Sequence, residues 1–210
     1  MSKLVFILFF YTASIFAHPV IYKEGTVVSS SNMPTYSDNL LMYSWSNRWA
    51  SGLNHWRFTK EESNTEMVFL KTNYLLYRYN GESSQGNIYL HGGVGVVDSE
   101  IEKRQTNEAY MTGLEADWET RTLYTALKHY YFTSPKVTDI SMTQARIGFS
   151  PFEAAFDQLQ SWFMVQFMYM PDVESEVIIT PLLRFFYKNV LWEMGSSTRG
   201  EWMLNIMVHY

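Results

Sequence analysis

The 210-residue sequence has no cysteine, six prolines, and charged side chains at only 18% of positions. Without cysteine there is no disulfide framework and no thiolate metal or redox centre, so packing and hydrogen bonds alone must hold the fold. After the first residues no apolar run approaches the ~20 needed for a membrane-spanning helix. A mean hydropathy of −0.17 likewise excludes a bundle of such helices. A basic footprint is missing as well. Sixteen Lys and Arg against 21 Asp and Glu leave a formal charge of −5, which is the wrong sign for binding nucleic acid.

Large rings are plentiful instead. Fifteen Tyr, 14 Phe and seven Trp bring aromatics to 17%, far too many for low-complexity disorder. A ring-rich, charge-poor chain of this length suits a single β domain, either soluble or embedded in a membrane.

Residues 1–17 read MSKLVFILFFYTASIFA. Lys3 precedes an apolar run from Leu4 to about Tyr11, and small and polar residues lead to Ala17. This is the layout of a secretory signal peptide, with cleavage expected after Ala17 and residues 18–210 forming one exported domain.

That domain alternates with period two, the mark of strands with one apolar face. Leu41, Tyr43 and Trp45 alternate with Met42 and Ser44; Ile88, Leu90, Val94 and Val96 with Tyr89 and His91; Phe163, Val165, Phe167 and Tyr169 with Met164, Gln166 and Met168. Cutting at the turn-forming clusters predicts about twelve strands, with ten as the alternative. Their ranges are 20–29, 40–49, 53–59, 66–79, 86–97, 108–118, 121–132, 138–149, 160–170, 175–187, 190–195 and 199–210. About 16 residues per strand and turn suits strands of ~9–11 residues crossing a bilayer at a tilt. Pro181 falls inside a strand and suggests a bulge. Ser150, Pro151 and Glu153 carry helix-start chemistry, so a turn or two of helix is expected in the connection after 149.

Alternation alone does not distinguish a soluble barrel, apolar inside, from a membrane barrel, apolar outside. Rings near strand ends favour the membrane: Trp45, Trp49, Trp56, Tyr77, Tyr79, Trp118, Tyr131, Phe132, Tyr169, Tyr187, Trp192 and Trp202 would form two interfacial girdles. The chain ends Trp202-Met203-Leu204-Asn205-Ile206-Met207-Val208-His209-Tyr210, apolar at alternate positions with a terminal aromatic. This ending, with the signal peptide and strand pattern, resembles bacterial outer-membrane β-barrel proteins. The resemblance implies an all-β, antiparallel transmembrane barrel in the outer membrane, with the lipid bilayer as partner. It also implies that the barrel-assembly machinery reads residues 202–210.

If the apolar parity meets lipid, the other parity lines a lumen. Its candidate solute-binding residues are His55, Arg57, Lys71, His91, Glu115, Asp117, Tyr124, Lys128, Arg146 and Arg184, a set richer in cations than in acids. Centring each turn predicts one row, with His91 opposite Glu115, Glu115 opposite Tyr124, and Tyr124 opposite Arg146. Such a row is either a site for small polar or anionic solutes or a network that fills a narrow barrel. The leading expectation is a small porin-like channel; the alternative is a non-conducting structural or assembly barrel. A membrane-face lipid enzyme is third: centring puts His129 opposite Ser141, but an orienting third residue is not evident. No cofactor is expected. His18 and the 12 methionines lack metal-ligand spacing, and Met in a barrel commonly fills packing gaps.

Overall fold

A computed structural model describes residues 23–61, 63–99, 107–135 and 137–210. Twelve strands form a closed barrel in which every neighbour is antiparallel and consecutive in sequence, apart from the pair that closes the ring. They are β1 (Thr26–Asn32), β2 (Tyr36–Ser44), β3 (Trp49–Lys60), β4 (Ser63–Asn80), β5 (Ser84–Ser99), β6 (Asn107–Thr120), β7 (Leu123–Ser134), β8 (Thr138–Phe149), β9 (Gln160–Met170), β10 (Glu174–Tyr187), β11 (Val190–Ser196) and β12 (Trp202–His209). β12 pairs with β1 from Val27↔His209 to Asn32↔Leu204, so no strand edge is left unpaired. The all-β, twelve-strand antiparallel barrel expected from the alternation is the observed fold. Residues 1–17, with the expected cleavage after Ala17, lie outside the described residues.

An even strand number puts the start of β1 and the end of β12 at one end, here the terminal end. Connections 45–48, 81–83, 121–122, 150–159 and 188–189 lie there too. Connections 33–35, 171–173 and 197–201 lie at the far end.

The expected boundaries hold closely from β4 onward and fail before it. The first three strands are 26–32, 36–44 and 49–60 rather than 20–29, 40–49 and 53–59. β1 reads TVVSSSN, and its serines show no contrast between faces, so period-two reasoning has nothing to hold. Residues 150–159 form turns and bends, without the expected helix. Ser150 Oγ donates to the Phe152 carbonyl at 2.6 Å, and Glu153 reaches Arg121 Nη1 at 2.8 Å. Both side chains thus hold a turn rather than a capping box. Pro181 sits in β10 opposite Val165, and the irregularity in that pair falls earlier, between Glu174 and Ile178.

The two faces of the wall differ as a bilayer requires. Leu41, Leu53, Leu70, Leu90, Val94, Leu114, Leu127, Ile147, Phe163, Phe167, Leu204 and Ile206 all point outward and are exposed. Trp45, Trp49, Tyr77, Tyr79, Trp118 and Tyr187 ring the terminal end; Tyr110, Tyr131, Tyr169 and Trp202 ring the far end. An exterior of exposed aliphatics between two aromatic rings is costly in water and matched to hydrocarbon between headgroups. Trp56 is not in a girdle. It is 1% exposed and points into the barrel, because β3 turns its even-numbered residues inward; Phe132, also expected in a girdle, is 0% exposed and points inward from β7 for the same reason.

Candidate functional site: a lumen polar at one end and dry at the other

The interior divides along the axis. Toward the terminal end lies a cavity of about 250 Å³ lined by Lys71, His91, Glu115, Lys128, Arg146 and Arg184, among others. Toward the far end the lumen is filled by side chains.

Two charge networks line the polar half. In one, Glu193 is the hub. Arg184 Nε donates to Glu193 Oε1 at 2.6 Å, Arg146 Nη1 to Oε2 at 3.1 Å, and Asn205 Nδ2 to Oε2 at 2.5 Å. Arg146 also donates twice to Gln166 Oε1, at 2.9 and 2.6 Å, and Ser31 Oγ donates to Asn205 Oδ1 at 2.7 Å. The Arg184 guanidinium lies 4.6 Å from the centre of the Tyr124 ring. One carboxylate thus joins residues of β8, β10 and β12, and its 1% exposure leaves these groups as its counter-charges.

The second network is centred on Glu115, whose Oε2 lies 3.0 Å from Lys128 Nζ and 3.3 Å from His91 Nε2. His91 Nδ1 is 2.7 Å from Asn73 Oδ1. Lys71 Nζ donates to the Tyr130 hydroxyl at 3.1 Å. Nearby, Asn54 Nδ2 donates to Asp38 Oδ1 at 2.6 Å, and Asn54 Oδ1 accepts from Trp56 Nε1 at 2.7 Å. Asp117 accepts from Asn87 Nδ2 at 2.7 Å, and Arg78 Nε donates to Asn87 Oδ1 at 2.8 Å.

The far half is a dry core. Trp56 and Phe58 stack at 5.5 Å and 7°, and Phe132 meets both edge-on at 5.1 Å. Phe69 joins Phe132 at 6.0 Å. Met33, Met67, Met111, Met142, Met168, Met170 and Met203 fill the gaps between rings, and Val137 and Val173 pack on the cluster. This is the gap-filling use of methionine. Phe69, Phe132, Met67 and Met168 are 0% exposed, so no water path runs between them. Lys60 Nζ donates to the Asp172 carbonyl at 3.0 Å, tying β3 to the 171–173 turn at this end.

Lumen glycines make room for the large rings. A Cβ on Gly113 would stand 2.2 Å from Tyr130 Cδ1, so the Tyr130 ring occupies the space over its cross-strand partner. A second depression, about 690 Å³, is not in the lumen. It lies on the apolar outer wall among Leu123, Phe149, Phe163, Pro181 and Met194.

Of the ten expected site residues, Lys71, His91, Glu115, Asp117, Tyr124, Lys128, Arg146 and Arg184 line the cavity. His55 and Arg57 do not. Their neighbours Asn54, Trp56 and Phe58 are the buried ones, which puts both cations on the outer wall, where His55 Nε2 lies 3.6 Å from Glu66 Oε2. The expected row is also out of register. Glu115 is opposite Tyr89 and Lys128, Tyr124 is opposite Glu119 and Gly148, and Arg146 is opposite Ala126 and Gln166. Side chains reach diagonally, so His91 still meets Glu115, whereas Arg146 turns to Glu193. His129 is opposite Thr143 rather than Ser141, with Nδ1 2.9 Å from Thr143 Oγ1.

Nor is the lumen basic. Among the described residues, Asp38, Glu115, Asp117, Glu119 and Glu193 face inward against Lys71, Arg78, Lys128, Arg146 and Arg184. Asp38 fell outside the expected second strand, and Glu193 sits in a seven-residue strand too short for alternation to stand out. The available signal was the cluster of cations itself, which needs buried acids to balance it. No group of His, Asp and Glu suited to a metal occurs among the described residues.

No protein-family model matches the sequence, and no curated protein matches it. Among solved structures the chain is similar to the KdgM porin, at 15% identity and a TM-score of 0.49 over 89% of this chain and 98% of that one. The KdgM porin in complex with disordered oligogalacturonate gives 14% identity, a TM-score of 0.49 and the same coverage.

Proposed function

We propose that this protein is an outer-membrane β-barrel acting as a small porin-like channel, whose passage is closed in this conformation by its far-end core. The signal peptide would route it out of the cytoplasm with cleavage after Ala17, and the strand at 202–210 would present it to the barrel-assembly machinery. One observation carries the channel reading: a charged, partly open cavity lies on the same axis as a plug of unbranched and aromatic side chains, inside a wall clad in aliphatics. Methionine thioethers have flexible torsions and soft packing, so such a plug can rearrange while breaking few hydrogen bonds, that of Trp56 Nε1 to Asn54 among them. The inward charges are balanced, which favours small polar solutes without strong selection by sign.

A second reading has its own support. Glu193 and Glu115 are matched by cations of the same lumen, and the far half is dry. That suits a non-conducting structural barrel held open by salt bridges and sealed by its core.

Planar-bilayer recording separates the two. For a channel, the folded wild type gives rare, small steps, and Trp56→Ala with Phe132→Ala gives frequent, larger ones. For a structural barrel, both proteins fold, as read by heat-modifiable gel migration, and both stay silent.

A further inference from the structure

Among the described residues, the outer wall carries an extended place that hydrocarbon does not suit. On β1 to β4, amid the lipid-facing residues, a chain of polar side chains runs across four strands. Asn32 Nδ2 donates to Ser30 Oγ at 2.8 Å, and Ser30 Oγ donates to Asn39 Oδ1 at 2.7 Å. Asn39 Nδ2 lies 3.4 Å from His55 Nδ1, and His55 Nε2 lies 3.6 Å from Glu66 Oε2. Arg57 is the register partner of Glu66, and its Nε has no hydrogen-bond partner among the described residues.

The register sets Ser30, Asn39 and His55 within the apolar belt, with Glu66, opposite Asp98, toward its far rim. Ser30 is opposite Ile206 and Asn32 opposite Leu204 on β12; His55 is opposite Val68 on β4. Leu41 and Leu53 lie one pleat from Asn39 and His55, and all five of these apolar residues are exposed. Polar groups at such positions in membrane proteins face other protein or a water-filled cavity. Hydrogen bonds from Ser, Asn and His side chains are a common adhesive between protein surfaces in lipid.

We propose that this patch is the contact surface for a second copy of the chain, the two related by a two-fold axis near Asn39. A two-fold contact needs a surface that complements itself. This one holds a cation, Arg57, beside an anion, Glu66, and amides and a hydroxyl that both donate and accept. An anionic headgroup is a poorer occupant, because Glu66 stands next to the cations that would bind it. His129 and Thr143 form a smaller polar spot on β7 and β8, roughly across the barrel, and their mutual hydrogen bond leaves fewer groups to pair. The inference rests on reading the outer wall as membrane-spanning.

The absence of cysteine makes the test clean. Asn39→Cys and Leu41→Cys, with Ile147→Cys on β8 as control, are reconstituted in phosphatidylethanolamine–phosphatidylglycerol vesicles at low protein density and oxidised. The expected result is a disulfide-linked dimer from both β2 positions and monomer from β8. In the cysteine-free chain, Asn39→Leu weakens self-association about tenfold, since each hydrogen bond lost is counted twice by the axis. Folded protein that floats with vesicles yet stays monomeric, links equally from β8, or has Asn39→Cys shielded by anionic lipid without linking overturns the interface alone. Protein that does not float with vesicles overturns the membrane reading and the interface with it.

Discussion

Glu193 accepts from Arg146, Arg184 and Asn205 while 1% exposed, so removing its charge leaves two guanidinium groups facing each other in a confined lumen. Glu193→Ala is expected to destabilise the barrel by about 3–5 kcal/mol, the usual cost of stripping one partner from a buried ion pair. Replacing Glu193, Arg146 and Arg184 together by Leu removes the uncompensated charge along with the bridge and is expected to recover most of that loss. Urea unfolding of reconstituted protein measures both. A second residue-scale prediction concerns Gly113. Gly113→Ala drives a Cβ into the Tyr130 ring and is expected to cost about 1–3 kcal/mol through overpacking. In a Tyr130→Ala background that cost disappears, and a double-mutant cycle reads the coupling directly.

At the scale of the strand, the wall depends on parity. Leu90 faces outward mid-strand on β5, while Val96 on the same face is two residues from Asp98 at the far rim. Leu90→Arg is expected to cost about 2–4 kcal/mol and Val96→Arg about 0–1 kcal/mol, because the penalty for a cation on the lipid face falls from midplane to interface. Equal costs at both sites would place the belt elsewhere. Parity also explains how far the sequence could be read. From β4 onward one face is steadily aliphatic and the other mixed, so strands and inward residues such as Lys71, Glu115 and Arg146 follow from alternation. On β3 the inward face turns apolar near the far end, with Trp56 and Phe58, because the lumen there is dry, and the charged residues of that stretch fall on the outward face. The rule that charge points inward then misplaces His55 and Arg57. His55 is partnered there by Glu66, on the next strand, which a single-strand pattern does not reveal. Register is equally hidden: a centred turn assumes equal arms, and the diagonal reach of His91 to Glu115 depends on the tilt of the whole sheet.

Across the whole molecule, the division of the lumen was not legible from residue types one at a time. Eight methionines and the rings of Trp56, Phe58, Phe69 and Phe132 are scattered over seven strands and one connection, and only closure of the barrel collects them into one core. The same closure brings Arg146 from β8 to Glu193 on β11. The central claim is therefore spatial: one half of the lumen is wet and reachable, the other dry and sealed. Single cysteines at two small lumen-facing residues test it most directly. Ala126 on β7 is part-exposed in the polar half, and Ala109 on β6 is 0% exposed within the far-end core. With a charged, water-soluble thiol reagent and folded, reconstituted protein, Ala126→Cys is expected to react rapidly and Ala109→Cys only after unfolding. Equal, rapid reaction at both positions in the folded state would contradict the account, because it would mean an open pore where the structure places a plug.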